Sequence, residues 1–145
     1  MKVEFTASVD FNAEAVKRRL HLEPGGAVQQ AIDKAVMNYS QKFIPAGSAS
    51  MPLAKSCYRA TVVGSGLVEW PGPYAHFQYV GYVRTTEDGR VFANKGESKP
   101  ILTDRPLKYT NDVNALAGPE WIKPMKAAYM TQILDEAQAA MKGGG

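Results

Sequence analysis

The chain has 145 residues, of which 45% are hydrophobic and 21% charged, with a net charge of +3 and a pI near 9.0. Those values fit one globular domain with its own core, and they exclude a chain that is disordered throughout. The single cysteine, Cys57, excludes an intramolecular disulfide and a cysteine-built zinc site, and the mild basicity reads first as a solvated face.

At the N-terminus, Val3, Phe5, Ala7 and Val9 alternate with polar residues. That period of two predicts a half-buried strand over 2–9. It is unlike a signal peptide, and no run of about 18 apolar residues follows, so the expectation is a cytoplasmic protein with no membrane partner. Asn12 is placed to cap a short helix over 13–20, and residues 21–26 form a break.

The clearest helix is predicted over 25–43. Val28, Ile32, Ala35, Val36, Tyr39 and Phe43 make an apolar stripe, with Gln29, Gln30, Asp33, Lys34 and Gln41 on the polar face. Pro45 stops it and pushes Ile44 into an extended conformation. Residues 46–50 read as a loop and 53–56 as one helical turn. The β-branched and aromatic runs 57–63 and 67–70 flank Gly64-Ser65-Gly66, which predicts a hairpin. A phosphate-binding loop is the weaker reading of these glycines, because no helix start with Lys and Ser or Thr follows.

The stretch from Trp70 to Tyr79 holds five aromatics in ten positions, counting His76. Pro73 suits the first position of a helix, 74–80 makes about two turns, and Gly81 ends them. Residues 82–86 and 90–93 flank Glu87-Asp88-Gly89, a second hairpin signal. Over 94–114 the periodicity fades, which predicts an extended loop or arm. Pro119-Glu120-Trp121 then opens a last helix to about Lys142, with Ile122, Met125, Tyr129, Ile133 and Ala137 on one face. Pro124 marks either its start or a bend, Gly143 is a natural C-cap, and 143–145 form a flexible tail.

The expected architecture is therefore one α+β domain over 1–145. A small antiparallel sheet with hairpins packs against the long helix of the N-terminal half and against the C-terminal helix.

No constellation calls for catalysis. His21 has only Glu23 nearby, and His76 sits among aromatics, so neither lies at metal-ligand spacing. Glu87 and Asp88 fall in a turn, and Asp135 and Glu136 lie on a helix face. Cys57 reads as an inert core thiol, and Ser65 is outside any nucleophile elbow. The expectation is no catalytic, cofactor or metal site. Lys17-Arg18-Arg19, the densest basic cluster, reads as a solvated face or as a contact for DNA phosphate or an acidic protein. Trp70, Tyr74 and Phe77 are spaced for a core and Tyr79 and Tyr82 for a surface. Together with Lys108 and Tyr109 they form a candidate partner interface.

Several short motifs recur in a familiar order. Tyr39 to Phe43 leads into Phe43-Ile44-Pro45, an aromatic-aliphatic-Pro step, and a small-residue loop leads to Leu53-Ala54-Lys55-Ser56. Val68-Glu69-Trp70 precedes Gly72-Pro73-Tyr74-Ala75, with Tyr79 and Gly81 beyond. Pro106-Leu107-Lys108-Tyr109 and Ala117-Gly118-Pro119-Glu120-Trp121 complete the series. In this order the chain resembles the minor capsid protein family of long-tailed bacteriophages and prophages, within the wider group of neck and tail-completion proteins. Two departures are visible: Pro52 precedes Leu53 where the family has Gly (the loop glycine here is Gly47), and Pro124 lies early in the last helix.

The resemblance implies a virion structural protein at the head–tail joint, present in the host cytoplasm during assembly. It implies a homo-oligomeric ring, a hexamer or dodecamer, around the DNA channel. Its partners would be head-closure or adaptor proteins on one side and tail-terminator or tail-tube proteins on the other, with non-specific contact to packaged DNA. Two other classes stay open at this point: a small basic nucleic-acid-binding module, and an enzyme of unrecognised type.

Overall fold

The computed structural model describes residues 1–8, 14–46 and 52–143. The elements are strand β1 (Lys2–Glu4), helices α1 (Glu14–Arg19) and α2 (Ala27–Ser40), a 3-10 turn (Gln41–Phe43), helix α3 (Leu53–Ala60), strand β2 (Leu67–Glu69), helix α4 (Pro73–Val80), strands β3 (Tyr82–Thr85) and β4 (Ile101–Pro106), and helix α5 (Ile122–Gly143). The fold is α+β, with two small antiparallel sheets, β1–β2 and β3–β4.

The core lies where α2 packs along α5. Ala35, Val36 and Met37 of α2 meet Ile122, Met125 and Ile133 of α5, and Ile44, Cys57, Val68, Trp70 and Trp121 fill the space around them. The Trp70 and Trp121 rings meet edge to face at 6.0 Å. At the rim of the same seam the Tyr39 and Tyr129 rings stack at 4.6 Å and 9°. Tyr39 Oη donates to Glu136, and Lys42 Nζ donates to Tyr129 Oη. The stripe expected on α5 is the one buried, with Tyr129 half-buried at its edge.

Pro124 falls in the first turn of α5, where a backbone N–H would have no intrahelical acceptor. The helix therefore starts just before it, at Ile122, and does not break. It runs through Gly143; the rest of the expected tail, like residues 47–50 of the expected 46–50 loop, position 9 of the expected first strand and the proposed cap at Asn12, lies outside the described residues.

The hairpin expected at 57–70 does not form. Residues 57–60 belong to α3, and β2 pairs instead with β1, in the register Lys2↔Glu69, Val3↔Val68, Glu4↔Leu67. The reason is local. Leu53-Ala54-Lys55-Ser56-Cys57-Tyr58-Arg59-Ala60 is rich in strong helix formers, and it places Ala54 and Cys57, three residues apart, on the buried face. The β-branched run begins only at Thr61, whose Oγ1 accepts the Glu69 amide.

Strand β1 is also shorter than 2–9. Its ladder ends where β2 gives way to Gly66, and the Gln29 side chain takes over the pairing. Gln29 Oε1 accepts the Ala7 amide, and Nε2 donates to the Phe5 carbonyl.

Gln29 and Asp33 thus leave the polar face expected of α2 and are buried. Asp33 is 0% exposed. Its Oδ2 accepts the amides of Gly64 (2.7 Å) and Gly66 (3.2 Å), and its Oδ1 accepts Gln29 Nε2 (2.9 Å). Aiming two nearby amides at one oxygen needs left-handed backbone, and Gly64 (φ 96°) and Gly66 (φ 79°) supply it. The glycine pair is a turn, as expected, but it is built to hold an aspartate of α2.

The second hairpin is also re-paired. The 87–89 turn forms, with Gly89 N donating to Thr86 O and Thr86 N to Arg90 O. No strand follows at 90–93. Strand β3 pairs with β4, which lies in the stretch expected to be an extended loop or arm, in the register Tyr82↔Pro106, Arg84↔Leu102, Thr85↔Ile101 with a bulge between Tyr82 and Arg84. Both faces of β4 are largely exposed, so its sequence carries no alternation to read. The result is an arm, a two-stranded ribbon with a long connection at its tip.

The arm joins the body at Gly81, whose φ of 83° ends α4 in the left-handed region. A Cβ there would lie 2.6 Å from Pro119 Cβ. That close approach lets Leu107 N donate to Gly81 O and Glu120 N to Tyr79 O.

Candidate interaction surfaces

The aromatic block is divided by the fold. Trp70 is 0% exposed and belongs wholly to the core, so it offers no surface to a partner. Tyr79, expected to face outward, is half-buried with its ring edge to face on Trp121 at 4.8 Å. Burial pushes its phenol upward from the ordinary range. Phe77 is half-buried beneath the Arg84 guanidinium, 5.0 Å from the ring centre. Tyr74, expected in the core, is instead 66% exposed on the outer side of α4. Tyr82 is exposed at the base of the arm, as expected. Tyr109 Oη donates to the Gln78 carbonyl and so ties the chain beyond β4 to α4, while the neighbouring Lys108 is exposed.

The arm adds an apolar surface that the sequence pattern did not reveal. Phe92 is 86% exposed near the tip, with Val91 beside it, and Ile101 and Leu102 are exposed on β4. The tip carries a set of ion pairs and hydrogen bonds to two carboxylates. Arg90 meets Asp88 at 2.7 Å and Glu97 at 3.1 Å, and the Asn94 amide donates to Glu97. Asp88 is held below the ordinary carboxylate range by the Thr86 hydroxyl and then by Arg90; Glu97 is held down by the Asn94 amide and then by Arg90. On the body, Leu134 and Met130 of α5, together with Val113 and Leu116, form separate exposed apolar positions.

The basic residues also sort themselves. Arg18 and Arg19 are exposed in the last turn of α1, next to Lys17. The fold adds Lys34 of α2 and Lys55 and Arg59 of α3, all exposed, on two helices that Tyr58 Oη joins by donating to Asn38 Oδ1 at 2.7 Å. The sequence signal for this set was available: between residues 24 and 68 the only acid is Asp33.

Cys57 and His76 are among the described residues whose types could carry chemistry. Cys57 is fully buried, and desolvation pushes its thiol up to about 11. His76 is exposed, and its ring meets only Phe77 among aromatic neighbours. Among the described residues no group of three His, Cys, Asp or Glu side chains could hold a metal ion. A shallow depression of about 170 Å³ is lined by Lys2, Ala60, Val62, Ser65, Leu67 and Glu69, and the one ion pair across it, Lys2 with Glu69, is loose at 4.0 Å. No helix among the described residues is long and apolar enough to cross a membrane.

No family model, curated protein or solved structure matches the chain.

Proposed function

We propose that this chain is a structural subunit of a phage virion, a neck or tail-completion protein that forms a ring between the portal–adaptor assembly and the tail. The observation that carries the reading is the exposure of apolar side chains both on the arm, at Phe92, Val91, Ile101 and Leu102, and at single positions of the body, Leu134, Met130, Val113 and Leu116. A closed ring uses head-to-tail contacts, which require two different surfaces that complement each other. A projecting two-stranded ribbon has reach, free strand edges and exposed side chains to lay on a neighbour. The order of the motifs from Phe43-Ile44-Pro45 to Pro119-Glu120-Trp121 supports the same reading. In it the chain performs no catalytic step, and its neighbours are further copies of itself and the adjacent head-closure and tail proteins.

The test is assembly. Light scattering and negative-stain images of the pure protein, alone and with its portal-side partner, are expected to show rings. The double variant Phe92→Ser, Leu102→Ser should keep the circular dichroism and melting behaviour of the parent, since both side chains are exposed, and lose the rings. A protein that stays monomeric under both conditions, or a variant that assembles like the parent, overturns the proposal.

A further inference from the structure

Charge is unevenly distributed along the chain. Residues 69–145 hold nine basic and nine acidic side chains. Residues 24–68 hold four basic side chains and one acid, Asp33, which is fully buried against the Gly64 and Gly66 amides. The exposed residues of α2 and α3 themselves are therefore cationic or neutral, and Glu136 of α5, which comes up to α2, is taken up by the Tyr39 hydroxyl. Lys42 is drawn away to the Tyr129 hydroxyl on α5. Lys34, Lys55 and Arg59 stay exposed, and none of them meets a carboxylate among the described residues.

The three are brought to one face. Lys34 lies one turn before Asn38 on α2, and Lys55 and Arg59 lie one turn apart on α3, on either side of Tyr58 in sequence. The Tyr58–Asn38 hydrogen bond holds those two helix surfaces side by side. It also takes up the Asn38 side-chain carbonyl oxygen. Three exposed cations on these two helices, none of them meeting a carboxylate among the described residues, form a surface complementary to a polyanion.

We infer that the outer face of α2 and α3 binds the phosphate backbone of duplex DNA without regard to sequence. The choice of DNA over an acidic protein rests on the ring reading, which encloses a DNA channel; the cationic face itself does not depend on it. Arg18 and Arg19 of α1, just before α2 in the chain, supply two further exposed cations. Binding of this kind works by counterion release, so its signature is salt dependence.

The experiment is anisotropy of a fluorescein-labelled duplex of mixed sequence, titrated with the full chain between about 50 and 200 mM salt. The variant Lys34→Gln, Lys55→Gln, Arg59→Gln is compared with Lys95→Gln, Lys99→Gln, Lys108→Gln, which removes the same charge from the arm region. At about 0.9 in log–log slope per phosphate contact, the helix variant should flatten the salt dependence by about 2.7 and weaken binding at low salt at least about tenfold, and the arm variant should change affinity less than about threefold. Equal losses in the two variants would mean that only net charge matters, and would overturn the inference. So would absence of binding at low salt, or displacement of the duplex by polyglutamate at lower concentration than by unlabelled duplex, the mark of an acidic-protein dock. Light scattering on the same samples separates the two readings. DNA binding through this face by a protein that never forms rings sinks the ring alone; rings that ignore DNA sink this inference alone.

Discussion

Asp33 shows how one side chain can set the course of a fold. It sits on α2, yet what it organises is the turn that delivers β2 to β1. Its carboxyl oxygens accept two backbone amides and the Gln29 amide, and Gln29 in turn holds Phe5 and Ala7 at the end of β1. Replacing Asp33 with alanine would strand three buried donors whose desolvation nothing offsets. Asp33→Ala should therefore destabilise the protein by about 3–5 kcal/mol, well above the typical point substitution. Asp33→Asn, which keeps an acceptor oxygen, should cost distinctly less. Urea unfolding measures both. A loss below about 1 kcal/mol for the alanine variant would mean that the loop amides find other partners.

At the scale of elements, what could be read from the sequence tracks how each segment is buried. The two long helices were legible because each buries one stripe against the other, so their apolar period survives in the sequence. The α4 turn was legible because Pro73 and Gly81 mark its ends. The two hairpins were misread for opposite reasons. Residues 57–60 mix Cys and Tyr into a run whose helix formers and three-residue apolar spacing decide the outcome. Strand β4 has no buried face at all, so neither its existence nor its pairing with β3 leaves an alternation to detect. Of the candidate interaction surfaces, the exposure of Tyr82 was foreseen. Phe92 and the α2–α3 cations were not, because exposure and the joining of two helices are properties of the fold.

The arm tip is held by hydrogen bonds and ion pairs to two exposed carboxylates, and those contacts are sensitive to acid. Asp88 and Glu97 are both held below their ordinary range, so the folded tip binds protons less readily than the open one. Its order is complete above the ordinary carboxylate range, near pH 4, and is lost as pH falls through the lowered values. In an NMR titration the Gly89 and Asn94 amides should report a midpoint below that of a free carboxylate, while core amides stay unchanged until global unfolding. Arg90→Ala should move the midpoint back toward the ordinary value. If the tip amides titrate alike in parent and variant, the Arg90 pairs do not order the tip.

At the scale of the whole molecule, the arm is also the covalent connection between two halves of one core. The part before it carries β1, α2, α3, β2 and α4, and the part after it carries α5 and the Trp121 corner. The halves meet through the α2–α5 packing, the Trp70–Trp121 contact, the β3–β4 ladder and the Asn114 side chain, which donates to the carbonyls of Gln41 and Ile44. Burial of Trp121, Ile122, Met125 and Ile133 alone is worth roughly 6–12 kcal/mol. The tip contributes nothing to that core, and its Arg90 and Lys95 are exposed to a protease. Brief trypsin treatment should therefore cut first at the tip and leave two fragments that elute together as one folded species. They should part only in denaturant, and the nicked protein should keep a cooperative melt at lowered temperature, because the second fragment must now also give up its independent motion to bind. If the fragments separate on a native column, the covalent connection through the arm is what holds the halves in place. The arm would then be a structural strut, no longer free to be spent on a neighbouring subunit.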